Sequence, residues 1–97
     1  MIKHIVFWNF EDSAIQKEAI DRLETLPALI TEIIDFEVGV DFNRSEPAFE
    51  VALYTSFASK EALGIYQKHP KHIEVAQFIG AHATQRAVVD YEIDGDE

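Results

Sequence analysis

Two histidines and a tyrosine, His4, His72 and Tyr66, are the side chains of this sequence whose types suit acid–base chemistry at one place. An imidazole takes up and returns a proton near neutral pH, because its unperturbed pKa is about 6.5. A tyrosine hydroxyl stays protonated and can donate to an oxygen that gains negative charge. Those are the two needs of a reaction that removes a proton beside a carbonyl, such as an intramolecular aldol closure. On this reading His72 is the base, Tyr66 is the oxyanion donor and orienter, and His4 sets the polarity of the site. The same residues also have a plain structural reading. His4 is then a core imidazole bonded to backbone, His72 bonds across a helix–sheet seam, and Tyr66 fills space with its hydroxyl at the edge. His69, just before Pro70, reads as a helix-start residue, and His82 as a solvated turn residue.

Other chemistries find little support. There is no cysteine among the 97 residues, hence no thiolate ligand, Cys nucleophile or disulfide framework. The four glycines form no phosphate-cradling loop, and no serine sits in a nucleophile motif. His69 and His72 lie three apart and His4 would complete three imidazoles, yet no carboxylate is placed as a fourth ligand. The expectation is no metal and no organic cofactor. A formal net charge of −10 opposes nucleic acid or an anionic membrane as partner. The longest apolar runs fall far short of the roughly 20 residues of a membrane helix. The start, Met1-Ile2-Lys3-His4, lacks the basic-then-apolar pattern of a leader, so none is expected. The expected location is the cytoplasm.

The candidate residues must be positioned by regular elements. From Ile2 to Phe10 the pattern alternates, with Ile2, His4, Val6, Trp8 and Phe10 on one side and Lys3, Ile5, Phe7 and Asn9 on the other. That is a strand with apolar groups on both faces. Ser13 and Gln16 read as a capping box, followed by helical spacing of Ile15, Ala19, Leu23 and Leu26. Pro27 is expected to end or kink that helix, with a helical turn over 28–32. Ile34, Phe36, Val38, Val40 and Phe42 alternate as a half-buried strand, and Phe49, Val51, Leu53, Thr55 and Phe57 share a face of a third. Ser59 is placed to cap a helix through Tyr66, and Pro70 suits the first turn of another. On that last helix His72, Val75, Ala76 and Ile79 form a stripe, with Gly80 as the expected stop. A final strand covers about 84–93, with Ala87, Val89, Tyr91 and Ile93 facing one way, before an acidic, frayed tail at 94–97.

Strand, helix, strand, strand, helices, strand is the order of an α+β, ferredoxin-like plait: a four-stranded antiparallel sheet with helices on one face. The whole chain, 1–97, is expected to be one domain. The uncovered sheet face is partly apolar, and a second copy is the economical cover, giving a homodimer.

Four stretches resemble the stress-responsive A/B barrel (Dabb) domain family. They are Met1-Ile2-Lys3-His4-Ile5-Val6-Phe7-Trp8, Phe36-Glu37-Val38-Gly39-Val40, Tyr66-Gln67-Lys68-His69-Pro70-Lys71-His72 and Arg86-Ala87-Val88-Val89-Asp90-Tyr91. The resemblance spans essentially the whole chain and implies a dimeric α+β barrel. One branch of that family is a plant polyketide cyclase, which closes a ring without metal or organic cofactor. The resemblance carries its first-strand His, signature Tyr and last signature His onto His4, Tyr66 and His72. The resemblance provides no match to that cyclase for the pocket-shaping positions, such as Ile2, Trp8, Val75 and Ile79, so its substrate does not carry over. The expected function is therefore a pocket for an uncharged or weakly polar, hydrophobic carbonyl compound, or a cofactor-free enzyme acting on one. Such a pocket should offer about 300 Å³ or more. The alternative is a non-catalytic dimeric barrel with a structural, stress-related or partner-binding role, and a lesser one is a cofactor-independent monooxygenase.

Overall fold

Alternation in the first strand becomes two physically different sheet faces. In β1 (Ile2–Phe10), Ile2, His4, Val6, Trp8 and Phe10 are buried, while the intervening residues are more exposed. The computed structural model describes residues 1–94. After β1 come α1 (Ser13–Leu23), α2 (Leu26–Leu29), β2 (Asp35–Val40), β3 (Val51–Phe57), α3 (Lys60–Lys68), α4 (Pro70–His82) and β4 (Ala83–Glu92). The strands form one antiparallel sheet in the order β2-β3-β1-β4, the ferredoxin-like arrangement expected from the element order.

Register decides which residues share the helix-covered face. Across β1, His4 lies opposite Thr55 and Asp90, Val6 opposite Leu53 and Val88, and Trp8 opposite Val51 and Arg86. Directly opposed residues project to the same side, so this row looks toward the helices. Packing of α1 on β1, α3 on β3 and α4 on α1 closes the core around Leu23, Leu26, Phe57, Tyr66 and Ile79. The other face carries Ile5, Phe7, Ala52, Tyr54, Ala87, Val89 and Tyr91, with Phe7, Val89 and Tyr91 exposed.

Several local expectations are corrected. Asp12, not Ser13, caps α1: its carboxylate accepts from the Ile15 N–H at 2.8 Å, and Ser13 is the first helical residue. Both types cap well, and the turn begins one residue earlier than the Ser-x-x-Gln pattern implied. Helix α1 stops at Leu23, before Pro27 could act, and Pro27 instead lies in the first turn of α2, where its missing N–H leaves no bond unmade. Phe49 precedes β3 and stacks on Phe7 of the opposite face, with ring centroids 5.9 Å apart. The second strand is shorter than its alternation: Ile34 and Phe42 lie outside β2, and Phe42 is 93% exposed. Gly80 does not stop α4, which runs on to His82 and leaves through an extended Ala83. No glycine among the described residues adopts positive φ, so α4 lacks the left-handed exit that favours glycine. His82 thus ends a helix rather than sitting in a turn, and its Nδ1 lies 3.1 Å from the Glu11 carboxylate. Ser59 and Pro70 act as expected, at the cap of α3 and the first turn of α4. The expectation for the acidic tail beyond Asp94 lies outside the described residues.

Candidate functional site

Three elements deliver the site. His4 comes from the buried row of β1, Tyr66 from the last turns of α3, and His72 from the first turn of α4. The break between the two helices is local chemistry: His69 leaves the helix, caps α4 by accepting from the Lys71 N–H at 3.1 Å, and Pro70 restarts the helix. That turn folds His72 back over Tyr66. Their ring centroids are 4.4 Å apart, and the His4 and Tyr66 rings are 6.1 Å apart, edge to face. All three line one hollow between sheet and helices, together with Trp8, Val75, Ile79 and Arg86. Ile2, expected to shape the pocket, is buried but does not reach it.

The hollow measures about 110 Å³, below the volume expected for a drug-sized ligand. A cavity of about 150 Å³ holds benzene, so the enclosed space suits roughly four or five non-hydrogen atoms. Large side chains cause the contraction. Tyr66 is fully buried against Phe57, with centroids 5.0 Å apart, and Trp8 closes one end.

Each polar group has a defined state. His4 is 5% exposed, and its Nδ1 meets the Asp90 carboxylate at 2.5 Å. A carboxylate can only accept, so the Nδ1 proton is donated to it, leaving Nε2 as the nitrogen free to exchange a proton. The bond also holds the ring in one orientation and offers a counter-charge when the ring is protonated. The partner is thus a carboxylate, not the backbone of the structural reading. His72 donates Nδ1–H to the Gln67 carbonyl at 3.1 Å, a helix–helix rather than a helix–sheet contact. Burial chiefly pushes the His72 pKa down, with nearby His4 and Arg86 adding to the effect against the Gln67 bond. Burial pushes the Tyr66 hydroxyl up to about 12, so it remains a donor at neutral pH. Trp8 is 5% exposed and its indole N–H has no partner.

The depressed His72 pKa makes stability depend on pH. The folded chain binds a proton at His72 less readily than the unfolded chain, whose value is near 6.5. Protonation therefore favours unfolding, and stability falls as pH drops through that value toward the lower folded pKa. A melting series from about pH 7.5 to about pH 5.5 should show this loss, and His72→Gln should remove part of it. An identical slope in both proteins would refute it.

Asp90 and Arg86 are the residues around the hollow that sequence reasoning missed, whereas Trp8 was expected to shape the pocket and does line it. Asp90 and Arg86 did stand in a strand otherwise rich in apolar residues, but only the register places them beside His4 and Trp8. Among the described residues, no group of three or more His, Asp or Glu side chains is arranged to hold a metal ion. His69 is turned to its own helix, which removes it from such a set.

With that geometry in hand, comparison places the chain. A family model described as Stress responsive A/B Barrel Domain matches residues 2–93. The chain belongs to this family. The Dabb domain shares its fold with a dimeric, ferredoxin-like protein of unknown function from Bacteroides fragilis, at 30% identity and TM-score 0.83 over 95% of each chain. A protein from Arabidopsis thaliana is 25% identical, with TM-score 0.82 over 100% of this chain and 99% of the other. A hydroxynitrile lyase from Passiflora edulis superposes with TM-score 0.86 over 99% and 95% of the two chains. At 18% identity, that likeness concerns the fold alone. No curated protein matches the Dabb chain in sequence. No helix among the described residues is long and apolar enough to cross a membrane.

Proposed function

We propose that this Dabb domain, taken as the whole chain 1–97, is a cofactor-free acid–base enzyme for a small carbonyl compound, with its site in the hollow lined by His4, Tyr66 and His72. The observation that carries the reading is the backing of buried His4 by Asp90 beside the Tyr66 ring. An imidazole held by a carboxylate, close to a protonated phenol, provides a proton acceptor and an oxyanion donor in one place. The geometry favours His4 over His72 as the base, because burial keeps His72 neutral whereas Asp90 offers His4 a counter-charge. In the step, the C–H bond beside the carbonyl breaks and its proton moves to His4 Nε2. The electron pair forms the enolate, whose oxygen accepts from the Tyr66 hydroxyl. The enolate carbon then either recovers that proton itself or attacks a second carbonyl carbon of the same compound. In the attack the second C=O π bond opens to an alkoxide, which takes the proton back from His4 Nε2. Either way the base is regenerated.

The chain works as a homodimer in this reading. Its open sheet face, with Phe7, Val89 and Tyr91 exposed, needs a cover, and the Bacteroides fragilis relative is described as dimeric. A cytoplasmic location also belongs to this reading.

The test needs no knowledge of the natural substrate. Acetone has four non-hydrogen atoms and fits the hollow by size. In heavy water the protein should accelerate deuterium exchange into its methyl groups, followed by proton NMR. Exchange no faster than in matched buffer overturns the enzyme reading. The small volume of the hollow would then favour the non-catalytic barrel, in which the three rings only pack the core.

A further inference from the structure

Trp8 and Arg86 lie directly opposite each other on β1 and β4, on the helix-covered face, and both line the hollow. Trp8 is 5% exposed, and its indole nitrogen is the one buried side-chain polar atom without a hydrogen-bond partner among the described residues. Leaving such a donor unpaired is costly, so a native site that keeps one calls for an explanation. Arg86 forms no ion pair among the described residues, although the chain carries ten more negative than positive charges. The nearest acid along its own face of β4, Asp90, is already engaged by His4.

We infer that Arg86 and the Trp8 N–H form a carboxylate-binding subsite, and that the compound taken by the hollow is an oxo acid, its carbonyl toward His4 and Tyr66 and its carboxylate toward Arg86. The inference rests on the reading of the hollow as a substrate site. It replaces the uncharged ligand expected from sequence. A guanidinium presents paired N–H donors matched to a carboxylate, and the indole adds one more. Arg86 is exposed, His72 half-buried and His4 buried, so the anion sits at the mouth and the carbonyl end enters the hollow toward His4. His4 and Trp8 stand four positions apart on β1, with Val6 between them on the same face. The two functional groups of the ligand therefore stand apart, as in a 4-oxo acid, rather than adjacent as in a 2-oxo acid.

A matched pair of probes isolates the subsite: 4-oxopentanoate and 2-pentanone, which share a five-carbon chain and a methyl ketone but differ in the carboxylate. Binding is read by NMR titration of the His72 ring signals and by calorimetry. The wild-type protein should hold 4-oxopentanoate about tenfold more tightly than 2-pentanone, against the repulsion of its net charge. Arg86→Gln should abolish that preference, with 2-pentanone still bound. Trp8→Phe, which keeps most of the ring volume, should reduce the preference in part. Equal affinities in the wild type, or a preference that survives Arg86→Gln, overturns the carboxylate subsite while 2-pentanone binding still supports the hollow as a ligand site. Failure of both probes to bind overturns the subsite and the substrate site together.

Discussion

Replacing His4 by asparagine is expected to lower protein-dependent deuterium exchange into acetone by about 10²–10⁴-fold, the usual worth of a positioned general base. The substitution is chosen for its geometry. An asparagine amide N–H can stand where Nδ1–H does and keep the bond to Asp90, but it offers no nitrogen able to accept a proton at neutral pH. Melting temperature and circular dichroism should stay near wild type, because the contact of buried residue 4 with the Asp90 carboxylate is kept. Asp90→Asn should lower exchange in the same direction, since the imidazole loses both its orienting partner and its counter-charge. If His4→Asn retains exchange within about threefold and His72→Asn abolishes it, the base is His72, as the sequence alone implied, and the argument from Asp90 fails.

Removal of the Tyr66 ring is expected to cost the most stability. Tyr66 is fully buried, with the Phe57 and His72 rings at 5.0 and 4.4 Å between centroids. Truncation of a large buried aromatic to alanine costs about 3–5 kcal/mol. A domain of this size loses about 4–8 °C per kcal/mol, so Tyr66→Ala should lower the melting temperature by on the order of 15–30 °C. Tyr66→Phe separates packing from chemistry. It keeps the ring, and stability should change by no more than about 1 kcal/mol, whereas exchange should fall about 100-fold on loss of the oxyanion donor. A small effect of Tyr66→Ala on unfolding would mean that the helix–sheet seam is not packed through this ring. Undiminished exchange in Tyr66→Phe would deny the hydroxyl its role.

Much of this architecture was legible because it is written in short-range periodicity. The alternation from Ile2 to Phe10 put His4 on the buried face of β1, and the spacing of His72, Val75 and Ile79 put His72 on the inward stripe of α4. The Tyr-x-x-His-Pro-x-His run marked a helix break, and that break is what brings the Tyr66 and His72 rings together. The local errors arose where two residue types serve one purpose. Asp12 and Ser13 compete for the same cap, and Gly80 is a helix stop only where the chain needs positive φ.

The amino-acid order by itself determined the elements, the plait, and the side of the sheet on which the candidate residues stand, because each depends on neighbours a few positions apart. Tertiary structure alone decided what surrounds them. His4 meets a carboxylate 86 positions away, Trp8 is left with a bare N–H opposite Arg86, and the hollow closes to about 110 Å³. Those outcomes follow from the pairing register of the first and last strands and from how far Tyr66 and Trp8 fill the seam. A one-residue slip between β1 and β4 would turn Asp90 and Arg86 to the opposite face of the sheet. No local pattern encodes that alignment; it is set by the simultaneous packing of both strands against the same helices.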